Sequence, residues 1–179
     1  EPIYGGTHFF FENILPKLNI KVIPVAGGDR TPELIEAVIK KEGAEKLRMI
    51  YLETPANPSN ILIDLKAVAQ IAKNYSAIKE RKILSMVDNT FLGPVFQTPA
   101  HFGFDLVVYS ATKFIGGHSD LIAGVVTGSE TLIREINIYR TILGTMATPF
   151  SGWLLLRSLE TLSIRMRRQA KNALKLAKI

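Results

Sequence analysis

Apolar residues along this chain follow two alternating rhythms: short continuous runs, and longer stretches in which apolar positions recur every three or four residues. The runs Ile20-Lys-Val-Ile-Pro-Val25, Arg48-Met-Ile-Tyr-Leu-Glu53, Lys82-Ile-Leu-Ser-Met-Val87, Asp105-Leu-Val-Val-Tyr109 and Leu121-Ile-Ala-Gly-Val-Val-Thr127 read as strands. Helical spacing predicts helices over Thr7–Leu18, from Thr31 onward, from a cap at Asp64 to about Asn74, over Ser129–Tyr139 and over Pro149–Lys178. Thr31 is placed to cap its helix and Pro32 suits a first helical turn, ahead of Leu34, Ile35, Val38 and Ile39. Asn74–Lys82 reads as a charged surface insertion. Only about a dozen residues separate the last two strands, too few for a helical crossover plus a loop, so one strand is expected to run antiparallel.

Such alternation predicts an α/β fold: a mostly parallel sheet with helices on both faces. With 179 residues, 47% hydrophobic and 21% charged, the chain suits one soluble α/β unit. No apolar run approaches a membrane span, and the amino terminus lacks a basic region followed by an apolar block, so the expected location is cytoplasmic. The absence of cysteine excludes disulfides and thiolate metal sites, and no metal is expected.

Charge changes the picture at one place. The net charge of +6 lies wholly in residues 157–179, which carry 7 basic and 1 acidic side chains. Arg157, Arg165, Arg167, Arg168, Lys171, Lys175 and Lys178 recur around Leu159, Leu162, Ile164, Met166, Ala170, Leu174 and Ala177, which suggests an amphipathic helix. A solvated helix face accounts for it. A basic nucleic-acid-binding module is the alternative, disfavoured because no aromatic residue is interleaved to stack on bases. Neither nucleic acid nor membrane is expected as a partner.

Candidate chemistry concentrates in Ser110-Ala-Thr-Lys-Phe-Ile-Gly-Gly-His-Ser-Asp120. Lys113 stands between hydroxyl residues and a glycine pair, directly after a strand, where a Schiff-base lysine is often presented. It is the candidate covalent anchor of pyridoxal 5'-phosphate, with Ser110 and Thr112 offering hydroxyl donors to the phosphate. Asp88 closes an earlier strand at its carboxyl end, where ligands of open α/β sheets bind. A carboxylate there keeps a pyridine nitrogen protonated and the ring an electron sink. A helix cap or a turn is the plain alternative for Asp88.

Together with Val87-Asp-Asn-Thr90, Glu53-Thr-Pro-Ala-Asn-Pro58 and Tyr4-Gly-Gly-Thr7, the lysine segment resembles four successive motifs of the Cys/Met-metabolism pyridoxal phosphate enzymes, the transsulfuration family. The resemblance runs from Tyr4 to about Lys178. It implies the large domain of the aspartate aminotransferase-type fold, fold type I. It also implies an enzyme of cystathionine γ-synthase or γ-lyase type, acting on sulfur-containing or homoserine-derived amino acids by γ-elimination or γ-replacement. O-acylhomoserine sulfhydrylase, methionine γ-lyase and a catalytically silent domain are the alternatives. Gly6, where methionine γ-lyases usually carry cysteine, and Arg140-Thr141, in place of their Lys-Asp pair, disfavour a methionine-dedicated lyase.

By the same resemblance Lys113 binds the cofactor covalently and shuttles protons, and Asp88 pairs with the ring nitrogen. Tyr4 would stack on the ring and assist departure of the γ-substituent. Asn57 would hydrogen-bond the ring oxygen, and Glu53 would have a supporting part, with simple solvent exposure an equal account of it. The resemblance also implies that residues 1–179 form part of the pyridoxal-phosphate-binding large domain, an N-terminal arm and a C-terminal small domain lying outside them. A homo-oligomer, dimer or tetramer, is expected.

Overall fold

In a computed structural model describing residues 2–79 and 81–179, four strands form one sheet in the order β1 (Met49–Glu53), β2 (Leu84–Asp88), β3 (Leu106–Ser110), β4 (Gly124–Gly128). β1, β2 and β3 run parallel, and β4 returns antiparallel against β3 across a link that contains turns and no crossover helix. The α-helices are α1 (Gly5–Asn13), α2 (Thr31–Glu42), α3 (Leu65–Lys79), α4 (Gly93–Phe96), α5 (Glu130–Leu143) and α6 (Pro149–Leu176); short 3-10 helices span Leu15–Leu18, Ala44–Lys46 and Pro99–Phe102, so the stretch expected as one helix over Thr7–Leu18 is α1 followed by a separate 3-10 helix.

Strand periodicity assigns the faces. Ile50, Leu52, Val87 and Val107 point one way and join Ile35 and Ile39 of α2 and Val68, Ala69, Ile71 and Ala72 of α3 in the larger core. Tyr51, Glu53 and Asp88 point the other way, where Phe11 of α1 meets the Tyr51 ring edge-on at 5.0 Å. A second cluster joins Ala111 and Ile115, just beyond β3, to Leu162 and Met166 of α6.

Four further expectations need correction. Ile20–Val25 forms no strand: Ile20 and Ile23 are exposed, Pro24 has no N–H to donate, and Val25 alone packs on the core. Thr31 is the first residue of α2 rather than its cap, and its hydroxyl donates to Ala26 O and Gly28 O. α3 runs on to Lys79, through most of the supposed insertion, because Tyr75 reaches the core and Ser76 Oγ accepts from Ile83 N at 2.8 Å. Asp64 does cap that helix, accepting from Ala67 N at 3.0 Å.

The apolar seam of α6 is the fourth. Its buried positions are Leu154, Ser158, Leu162 and Met166, four residues apart, whereas Ile164 and Leu174 face outward and nothing after Met166 is buried. Ser129 and Thr148 cap α5 and α6, each accepting a backbone N–H three residues on.

Candidate active site at the carboxyl edge of the sheet

Three parallel strands end side by side, and their last residues carry the candidate chemistry. Glu53 of β1 is the register partner of Asp88 of β2, so two carboxylates lie next to each other on one face. Asp88 Oδ1 accepts from Thr90 N at 2.9 Å and from Thr90 Oγ1 at 2.6 Å; Oδ2 has no hydrogen-bond partner among the described residues. Thr90 Oγ1 in turn accepts from Ser110 N at 2.8 Å, and Ser110 O accepts from Lys113 N at 3.0 Å. One unbroken relay therefore runs from the Asp88 carboxylate to the backbone of Lys113.

Lys113 lies on a turn formed by residues 111–116 and its side chain is exposed. Gly116 N closes back on Ala111 O and Gly117 N on Lys113 O, both at 2.7 Å. A Cβ on Gly116 would stand 2.9 Å from Ala111 O, so the turn is this tight only with glycine there. Lys113 lines an open cleft of about 510 Å³ with Thr112, Phe114, Gly117, Ser119, Leu121, Ile122 and Gln169. Asp88, Ser110, Tyr4 and Asn57 are not among its walls. Thr112 Oγ1 both donates to Ala123 O and accepts from Ala123 N, which ties the turn to the approach of β4. Ser110 has the uncommitted hydroxyl of the pair.

Tyr4 and Asn57 meet at Glu53. Its Oε2 accepts from Tyr4 N at 2.6 Å and its Oε1 from Asn57 N at 2.8 Å. Burial pushes the Glu53 carboxyl above its usual value, the two N–H donors pull it back, and neighbouring Asp88 pushes it further up. Glu53 is thus buried and structural, not solvent-exposed. Burial, then the Asp88 charge, raises the Tyr51 phenol in the same neighbourhood. The Tyr4 ring, half exposed, folds back over Gly6, whose added Cβ would stand 2.8 Å from Tyr4 Cε1.

Sequence reasoning missed three supports. Thr90 is one; its place two residues after a strand-ending acid, as in an Asx turn, was the available signal. Asn89, fully buried, donates through Nδ2 to Gly93 O and Gln97 O and accepts from Gln97 Nε2, while Gln97 also donates to Thr54 O. That network binds the ends of β1 and β2 together, and no pattern in the chain announces it. Arg165 is the third: its spacing matches the solvated basic face, but it turns inward to the lysine turn.

A three-strand parallel edge with an acid, a hydroxyl and a lysine at its carboxyl end defines a fold type I cofactor domain, and comparison agrees. The family model for Cys/Met metabolism PLP-dependent enzymes matches residues 1–179. A cystathionine beta-lyase from Coxiella burnetii is 36% identical over 99% of this chain and 43% of its own length. An L-methionine gamma-lyase from Porphyromonas gingivalis is 38% identical over 96% of the chain and 41% of its own. The crystal structure of cystathionine gamma-lyase from Lactobacillus plantarum complexed with L-serine superposes with a TM-score of 0.86 at 33% identity, over 98% of this chain and 43% of that one. The chain belongs to the Cys/Met metabolism PLP-dependent enzyme family, and it spans about two-fifths to one-half of the length of the curated relatives it matches.

The residues present fit the cofactor. Asp88 Oδ2, without a hydrogen-bond partner among the described residues, would accept a ring N–H, Lys113 would offer its exposed primary amine to the aldehyde, and Ser110 Oγ would donate to phosphate. Among the described residues no helix is long and apolar enough to cross a membrane.

Proposed function

We propose that this chain is the cofactor-binding part of a transsulfuration enzyme of cystathionine γ-synthase or γ-lyase type, which removes or replaces the γ-substituent of a sulfur-containing or homoserine-derived amino acid. The supporting observation is the relay from Asp88 through Thr90 and Ser110 to the backbone of Lys113, which ties the acid to the turn that carries the lysine. Bound pyridoxal phosphate would supply the electron sink that lets carbon–hydrogen bonds next to the amino group break. Asp88 Oδ2 would accept the ring N–H and, by its charge, would keep that nitrogen protonated. Lys113 Nζ would hold the cofactor through its aldehyde and would carry protons between the substrate α and β carbons. Ser110 donates to the phosphate, with Thr112 bracing the turn from its bonds to Ala123. Tyr4, tethered at its backbone by Glu53, places its phenol oxygen to assist the departing group, and Asn57, tethered by the same carboxylate, orients the ring oxygen.

A cytoplasmic location and a homo-oligomer, dimer or tetramer, belong to this reading. The oligomer is supported by Tyr139, Ile142, Phe150 and Trp153, which α5 and α6 leave exposed. The relatives divide among cystathionine beta-lyase, cystathionine gamma-lyase, cystathionine gamma-synthase and methionine gamma-lyase at 35 to 38% identity, so the reaction branch rests on assay. Purified full-length protein given pyridoxal phosphate is expected to show an absorption band near the visible edge that Lys113→Ala removes, and to release α-keto acid from cystathionine. Absence of that band from the unsubstituted protein overturns the reading.

A further inference from the structure

We infer that Arg165 is a positioning residue for Lys113: reaching in from α6, its guanidinium pins the turn on which the lysine stands. The inference rests on the functional reading above and names a residue that acts on that site from outside it. Arg165 Nη1 donates to Phe114 O at 2.8 Å and Nη2 to Ile115 O at 3.3 Å, the two carbonyls immediately after Lys113. The other end of the fork is anchored in its own helix, Nη2 to Ser158 O at 2.9 Å and Nε to Thr161 Oγ1 at 3.0 Å. One planar group thus joins a long helix to a turn some fifty residues earlier, and its fixed geometry transmits the position of one to the other.

The turn is built to admit it. Gly117 lies at φ +74°, and a Cβ there would overlap Arg165 Nη1. The glycine pair therefore serves two ends: Gly116 lets the chain close on Ala111, and Gly117 leaves the space the guanidinium enters. Beneath the fork, Leu162 and Met166 pack on Ala111 and Ile115, so apolar contact fixes the distance of the turn from α6 and Arg165 fixes its orientation. Other cations of the same segment do something else. Arg157 lies over the Trp153 ring and Arg167 bonds Ser163 of its own helix.

Lys113 has an exposed side chain, so nothing but its backbone sets where the amine starts from. An amine that must meet an aldehyde at bonding distance is sensitive to displacement of its turn; a shift of about 1 Å costs on the order of 100-fold in rate.

The test uses full-length protein in four forms: unsubstituted, Arg165→Met, Arg165→Lys and, as control on the outer face of the helix, Arg168→Met. Two quantities are read: amide hydrogen exchange at Lys113, Gly116 and Gly117, and the rate at which added pyridoxal phosphate is trapped on Lys113 by borohydride. Arg165→Met is expected to speed exchange at those amides and slow trapping, each by roughly 10-fold, with α3 protected as before. Arg165→Lys, keeping a charge but not the fork, is expected to fall between. Arg165→Met that matches Arg168→Met in both quantities overturns the inference. So does loss of protection throughout the domain in both Arg165 variants, which would make the contact one of global stability. If the unsubstituted protein traps no pyridoxal phosphate, the functional reading fails, and the exchange measurement still decides by itself whether Arg165 holds the turn.

Discussion

Ser110 hangs by its backbone nitrogen from the hydroxyl of Thr90, 2.8 Å away, and that hydroxyl donates to Asp88 Oδ1 at 2.6 Å. Just past the end of β2 a side chain continues the pairing to the last residue of β3, after Asn89 N has made the last backbone bond to Val108 O at 2.9 Å. The acid at the end of one strand thereby sets the exit direction of the next, which leads straight into the Lys113 turn.

Thr90→Val keeps the shape and removes the relay. Ser110 N and one lone pair of Asp88 then lose their partner, and the expected loss is about 1–3 kcal/mol of unfolding free energy, read by urea denaturation. The same substitution is expected to weaken the cofactor absorption band, since both Asp88 and the turn lose their mutual constraint. A band of full intensity would separate the relay from cofactor binding.

Glu53 predicts a pH dependence. Its carboxyl is pushed up in the folded protein, chiefly by burial, so over the interval from the ordinary glutamate value to the raised one the folded state binds more protons than the unfolded. Stability through this group therefore falls as pH rises through that interval and is greatest on its acid side. Glu53→Gln removes the titration while leaving one of the Tyr4 and Asn57 N–H groups without an acceptor. Unfolding free energies measured from pH 4 to 8 should show the unsubstituted protein losing ground to the variant as pH rises; parallel curves would refute the assignment.

Gly6→Ala addresses the Tyr4 ring. The new methyl would stand 2.8 Å from Cε1, and an exposed ring can swing away cheaply, so stability is expected to change by less than about 0.5 kcal/mol. Turnover of cystathionine by the full-length protein is expected to fall because the phenol moves. Unchanged turnover alongside an unchanged melting temperature would leave Tyr4 no part in the chemistry.

Leu162→Ala tests the seam between α6 and the lysine turn. Leu162 is buried with Met166, Ala111 and Ile115, and its truncation is expected to cost about 2–5 kcal/mol, measured by thermal or urea unfolding. Leu159→Ala, one helical step away and exposed, is expected to cost far less.

Local chemistry made much of this protein legible. Apolar runs bounded by polar residues gave strands β1 to β4 within a few residues, the short link before β4 gave its antiparallel direction, and the hydroxyl-lysine-glycine segment marked the candidate site. These features depend on neighbours in the chain. Ile20–Val25 reads as a strand by the same rule, yet it forms none, because Ile20 and Ile23 stay exposed and Pro24 brings no N–H to a ladder.

What remained hidden depends on residues distant in sequence. A glutamate after a strand looks the same whether exposed or buried, and only the approach of Tyr4 N and Asn57 N made Glu53 an internal acceptor. Six cations on one helix look like a single solvated face until the fold brings Phe114 O and Ile115 O against one of them. Residue types and their spacing determined which elements form and which chemistry they carry. The tertiary structure decided which polar groups are satisfied by one another, because hydrogen-bond partnership is a matter of a few tenths of an ångström between segments tens of residues apart.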